Sequence, residues 1–284
     1  MKKTIIIFLI AIIFISCDEK IDLTLPASPS RLIVEGRVEL IKSTSEHEQQ
    51  IVISTLNDFF DQSQTPRVDN AVVRVIDGNG EVYPYQHDDD DPGRYFNTDL
   101  NAEIGESYTL QIEWNQEFYE ASSILVEVTP LDSVYQVFEE ENAFEDGGLK
   151  LAIDFTDPIG EDNYYFWELF ADGQNLILAD PGNSGNVIAN DRFWDGQKIE
   201  GYFPNEERVL EPGMEVIVRH IGISKETFDY LFLLFEQTGQ TGQFIDVPPA
   251  LIRGNIQNLT NPENIAMGYF GASEVDQRSL IVSE

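Results

Sequence analysis

Strict period-two alternation of apolar and polar residues, punctuated by turn pairs, limits this chain to β architecture. Tyr108, Leu110, Ile112 and Trp114 put apolar side chains on one face, and Asn115-Gln116 turns the chain into Phe118–Ile124. Leu32, Val34, Gly36, Val38 and Leu40 follow the same rule. Ala71–Ile76 and Glu81–Gln86 flank Asp77-Gly78-Asn79-Gly80, where Asn-Gly suits a tight hairpin turn. Arg94–Thr98 reads as a further short strand. Such spacing, with no helical pattern between strands, predicts a β-sandwich over residues 31–128.

Val128-Thr129-Pro130-Leu131 reads as a boundary, followed by a second β-rich domain over 129–284. Its strands are expected at Val134–Phe138, Leu149–Phe155, Tyr164–Phe170, Leu176–Leu178, Val216–Ile223, Ile265–Phe270 and Leu280–Val282. Residues 180–214 are rich in Gly, Asn and Pro and read as long loops. One helix is expected near 224–238. Ser224 is its N-cap and Glu226 lies in its first turn, while Phe228, Leu231, Phe232 and Phe235 fall at i, i+3, i+4 and i+7. Leu233 and Leu234 widen the apolar face, and Gly239 is a natural stop. The expected fold is mainly β: two β-sandwich-like domains, the second with one amphipathic helix packed on the sheet.

The N-terminus carries a different message. Lys2 and Lys3 precede an unbroken apolar run from Ile5 to Ile15, too short for a spanning helix, and Phe14-Ile15-Ser16-Cys17 closes it. This is the layout of a secretory signal peptide over 1–16. The ending is similar to a bacterial lipobox, with Phe14 where leucine is usual. That resemblance implies cleavage before Cys17 and diacylglycerol on its sulfur, and the alternative is an ordinary signal peptide with a chance cysteine. Cys17 is the single cysteine, so no internal disulfide can form. Residues 17–30 hold Pro26 and Pro29 and read as a lipidated tether; fully extended, the part beyond Cys17 reaches about 40 Å.

A formal net charge of −34 opposes binding to nucleic acid and to anionic lipid surfaces. It suits either a solvated surface or a surface for cationic ligands, divalent ions or a basic partner. Catalytic motifs are lacking. His47, His87 and His220 are far apart, and Gly182-Asn183-Ser184-Gly185 lacks nucleophile-elbow spacing. The reading is therefore of no enzyme, no catalytic residue, no metal and no cofactor. Asp88-Asp89-Asp90-Asp91 beside His87 is oxygen-rich, but four successive aspartates before Pro92-Gly93 read as a solvated loop. Asp77-Gly78-Asn79-Gly80 begins like a calcium loop without the later ligands, and reads as a turn. Within Asp162–Trp167, Tyr164 and Phe166 share one face and Tyr165 and Trp167 the other. One face is core, and the other is either buried too or an aromatic platform for sugars or peptides. Asn258-Leu259-Thr260 has the eukaryotic glycosylation spacing, and Asp132-Ser133-Val134 that of a short bacterial O-glycosylation acceptor.

Arg31–Val38, Ala71–Gly80, Gly93-Arg94-Tyr95 and Gly105–Leu110 together resemble a transthyretin-like or carboxypeptidase-regulatory-like sandwich. Phe155–Pro158, Asn163-Tyr164-Tyr165, Gly254–Thr260 and Met267–Ser273 are similar to the Bacteroidota lipoproteins of domain-of-unknown-function family 4249. That resemblance carries no catalytic residue. It implies an outer-membrane setting beside TonB-dependent receptors, hence an accessory role in nutrient binding or uptake. Alternatives are a surface adhesion or structural module and, behind it, a secreted hydrolase. Asp18-Glu19 loosely fits a surface-export signal of that phylum, whereas the enterobacterial sorting rule reads Asp18 as inner-membrane retention; the leaflet stays open.

Overall fold

The computed structural model describes residues 31–42, 44, 48–56, 65–141, 147–175, 187–204, 209–238 and 252–284. Cys17, the segments 1–16 and 17–30, His47, Leu176–Leu178, residues 182–185 and Gly239 lie outside them.

The first strands alternate as their side chains require: β1 (Leu32–Ile41), β2 (Gln49–Thr55), β3 (Val72–Asp77), β4 (Val82–His87), β5 (Arg94–Asn97), β6 (Ser107–Trp114) and β7 (Glu117–Ile124). β1, β2 and β5 bring Leu32, Val34, Ile51, Ile53 and Tyr95 into one core with Val73, Val75, Leu110, Ile112 and Tyr119 from β3, β6 and β7. β4 pairs with both β3 and β5 and so joins the two layers. Each fully buried aliphatic or aromatic side chain contributes roughly 1.5–3 kcal/mol.

The second half comprises β8 (Leu131–Glu139), β9 (Gly148–Thr156), β10 (Tyr164–Ala171), β11 (Gln174–Asn175), β12 (Ile188–Asn190), β13 (Lys198–Tyr202) and β14 (Glu215–Gly222). Helix α1 (Lys225–Thr238), β15 (Gln257–Asn258) and β16 (Met267–Ile281) complete it. β13, β9 and β8 form a three-stranded sheet, and the remaining strands make one 13-stranded sheet. The second core lies between these sheets: Leu151, Ile153 and Phe155 meet Tyr165, Trp167, Leu169, Val216 and Val218. The fold is thus mainly β and sandwich-like, with one helix among the described residues.

Three local readings change. β2 is a full strand where none was expected. Residues 187–204 contain β12 and β13, so that part of 180–214 is not all loop. The tail is one 15-residue strand rather than two short ones.

β16 joins the two halves. Its first part runs parallel to β1, from Ile33↔Met267 to Ile41↔Val275, and its last part pairs antiparallel with β14, from Ile221↔Val275 to Glu215↔Ile281. Residues Phe270 to Asp276 are all buried, acids included. Those acids have partners: Val128 N–H donates to Glu274 Oε2 at 2.9 Å and Leu131 N–H to Asp276 Oδ2 at 2.8 Å. They fasten the 126–131 crossing to the shared strand. The segment 129–284 therefore builds the second core and also returns Ile256, Ala266, Phe270 and Ala272 to the first. On the opposite sheet face Arg37, Glu39, Glu168 and Arg219 close a ring of ion pairs across β1, β10 and β14. Burial opposes charge on Arg37, but the carboxylates of Glu168 and Glu39 outweigh it and hold its pKa above the usual range.

Candidate functional site

Helix α1 leaves a groove of about 900 Å³ between itself and the end of the first sandwich. Ser224 Oγ accepts the Thr227 N–H at 3.1 Å, the expected N-cap. Phe228, Leu231 and Phe235 pack toward the second core, while Phe232 and Leu233 are about half exposed, so the apolar face is narrower than the spacing suggested. Glu226, Asp229, Tyr230 and Leu233 look across the groove at Ser107, Ser122 and Ser123 of β6 and β7. Its floor is Tyr269, whose ring lies 5.0 Å from that of Tyr230 at 31°. Burial, with Glu35 nearby, raises the Tyr230 pKa and keeps the phenol protonated as a donor. Arg253 also lines the groove and has no ion-pair partner among the described residues.

The groove floor is rigid because chain segments interlock beneath it. Gly268 has φ +88°, and a Cβ there would sit 1.9 Å from the Val34 carbonyl oxygen; one on Gly254 would sit 1.6 Å from the Gly268 oxygen. Asn255 clamps β16 through both ends of its amide, donating to Phe270 O at 2.7 Å and accepting from Phe270 N at 2.9 Å. Glu117 accepts from Tyr119, Asn258, Asn261 and Asn264. Burial opposes its ionisation, but these donors outweigh it and lower its pKa. The Gly254–Thr260 motif is thus a structural clasp, with Asn258 buried inside it.

A second feature lies at the far end of the second sandwich. Loops 157–163 and 191–197 cross, and Asp157, Asp191 and Asp195 bring carboxylate oxygens within 4.8 Å of one another. Oxygen clusters of this kind suit calcium, but each carboxylate already accepts loop hydrogen bonds. Asp157 takes Tyr165 OH at 2.5 Å and Gly196 N–H at 3.1 Å, Asp191 takes Asn163 N–H at 2.8 Å, and Asp195 takes Gly160 N–H at 2.6 Å. Burial first, with Asp191 and Asp195 nearby, raises the Asp157 pKa against the pull of its donors.

The residues singled out from sequence fall elsewhere. His87 sits edge-on to Tyr95 with Nδ1 3.4 Å from Asp89, and Asp88 pairs with Arg94, so the aspartate run belongs to a hairpin loop. His220 is wholly buried against Phe155, Tyr165 and Trp167. Asp77 Oδ1 accepts the Asn79 and Glu81 N–H groups in its turn. Tyr165 and Trp167 are core, and Tyr164 and Phe166 are half-buried beside α1, so neither aromatic face is an open platform. Ser133 Oγ donates to Asp154 at 2.6 Å and Thr156 donates to Asp132 at 2.9 Å.

Residues 18–279 match the family model described as "Domain of unknown function (DUF4249)". The chain belongs to the DUF4249 family. No curated protein matches it. Among solved structures, the crystal structure of a DUF4785 family protein from Legionella pneumophila is similar at 14% identity and a TM-score of 0.22, covering 66% of this chain and 52% of that one. The DUF4249 chain thus spans about half that protein's length, and a likeness so slight carries no argument. No described helix of the DUF4249 chain is long and apolar enough to cross a membrane.

Proposed function

We propose that this chain is a lipid-anchored protein of a bacterial outer membrane, held by Cys17, that captures a ligand for a TonB-dependent receptor without transforming it. The observation that carries capture is the groove. A tilted tyrosine pair offers an apolar face, the hydroxyls of Ser107, Ser122 and Ser123 offer hydrogen-bond partners, and Arg253 lines the same groove as Glu226 and Asp229. Concave sites with an aromatic surface and a few convergent polar groups suit small polar ligands. The lipobox-like ending at Cys17 and the family resemblance to Bacteroidota lipoproteins supply the setting, with residues 31–128 read as a transthyretin-like module.

The test is in two parts. Crosslinked recovery of the lipidated protein from its native membrane is expected to bring down a TonB-dependent barrel; recovery alone, still membrane-bound, counts against the receptor role. An array of small polar ligands on the unlipidated chain is expected to yield a binder whose affinity falls at least tenfold in Tyr269→Ala and Arg253→Ala. A binder indifferent to both moves capture away from the groove.

A further inference from the structure

The crossed loops of the second sandwich present two large apolar side chains to solvent: Ile159 is 82% exposed and Phe193 86%. Their scaffold is stiff. Asp157 N–H donates to Gln197 O at 3.0 Å, Asp191 N–H to Asn163 O at 3.1 Å, and Trp194 N–H to Asp191 O at 2.7 Å. Ile159 lies against Gly196, where an added Cβ would come within 2.8 Å of it. With the aspartate hydrogen bonds, the two loops form one pinned knob. Exposed around the apolar pair are Glu161, Asp162 and Asp195, while Arg192, the one basic residue in these loops, holds its guanidinium over the Phe193 ring at 5.6 Å.

Held this way, the knob loses little conformational freedom on binding, and such preorganisation favours affinity. A bulky aromatic with an aliphatic neighbour is the composition of an interface anchor. Charge decides the occupant. A second copy of a chain of net charge −34 would present the same acidic rim and be repelled. An anionic bilayer opposes the rim likewise. We infer that the knob at 157–163 and 191–197 docks into a partner protein whose surface offers an apolar pocket rimmed by Lys and Arg. This stands whatever the groove holds.

The experiment places a benzophenone-bearing phenylalanine at position 193 of the full lipidated chain in the cells that make it. A second chain carries the probe at position 82, where Val82 is 51% exposed on the first sandwich. The expected result is a discrete protein adduct at 193, at least fivefold above position 82, with Lys or Arg close to the crosslinked apolar residues of the partner. That adduct falls at least fivefold in Ile159→Asp and in the double variant Glu161→Lys, Asp162→Lys; these side chains are exposed, so both variants fold, as circular dichroism checks. Adducts to lipid or to a second copy overturn the inference. So do equal yields at both positions, no adduct at 193, or an adduct indifferent to those substitutions.

Discussion

The two cores solve the same packing problem with different polar bookkeeping. In the first, most buried ring hydroxyls have partners. Tyr95 OH donates to Val68 O at 3.0 Å and accepts from Ala71 N at 2.9 Å, Tyr108 OH accepts from Glu103 N at 2.8 Å, and Tyr119 OH donates to Glu117 at 2.6 Å; Tyr85 OH and the ring nitrogen Nε2 of His87 are the exceptions. In the second, Tyr165 is satisfied by Asp157, but both ring nitrogens of His220 and Nε1 of Trp167 and Trp194 are buried without partners among the described residues. A buried polar atom left unpaired costs about 1–3 kcal/mol. More of these unpaired atoms lie in the second half, which is therefore expected to yield first to acid and mutation.

The strongest way to break the comparison is to remove what joins the halves. Gly268→Ala combines a disallowed φ with a collision against Val34 O and is expected to cost roughly 3–5 kcal/mol, destabilising both halves together in denaturant titrations. A loss under 1 kcal/mol would mean the clasp yields easily. Asp276→Ala acts more locally. It strands the buried Leu131 N–H at a cost of about 2–3 kcal/mol. Trp167 and Trp194 belong to the second core and Trp114 packs on the first. Fluorescence in Asp276→Ala should therefore report a second-core transition ahead of the far-UV signal; coincident transitions would refute unequal halves.

Acid offers the next lever. Burial, with Lys42 nearby, pushes the His220 pKa down to about 3 from 6.5. Below pH 6.5 the unfolded chain binds a proton that the folded imidazole refuses, so this group removes stability as pH falls from 6.5 toward 3. The slope approaches at most about 1.4 kcal/mol per pH unit. Asp157, with its raised pKa, works in the opposite sense: its contribution is present below the ordinary carboxylate range and is lost as pH rises through its folded pKa. His220→Phe should flatten the acid limb of the stability profile. An unchanged limb would place the acid sensitivity in carboxylates instead.

Alternation made most strands legible, and it failed where polar side chains are buried for a reason. β2 opens with Gln49, 1% exposed, whose amide bonds both Glu39 N and Glu39 O at 2.8 Å and so behaves as core. In β16, Glu274 and Asp276 look like a break between two strands until Val128 and Leu131 are seen to donate to them. The groove escaped because its walls come from scattered residues between 107 and 126, between 224 and 233, at 253–255 and at 269, which no local motif joins. The knob escaped likewise, since Asp157 and Asp191 meet only after β10 and β12 pair at Tyr165↔Ala189. Family resemblance located the Gly254–Thr260 motif without its meaning, a set of asparagine clamps.

The smallest effects sharpen the comparison most. Tyr95→Phe and His220→Phe both remove polar atoms from a buried ring, one in each core. Tyr95 gives up a donated and an accepted hydrogen bond, leaving Val68 O and Ala71 N–H without them, and should lose about 1–2 kcal/mol at neutral pH. His220 gives up nitrogens without partners among the described residues. Its replacement also enlarges the ring by one atom against Phe155 and Tyr165, a mild overpacking that offsets the gain. The net change at pH 7 should lie within about 1 kcal/mol of zero, and become stabilising below pH 6.5 as the imidazole's proton linkage disappears. Calorimetry of the two variants side by side decides the matter. If His220→Phe costs as much as Tyr95→Phe at pH 7, then the imidazole has hydrogen bonds after all, and the two cores are equally well satisfied.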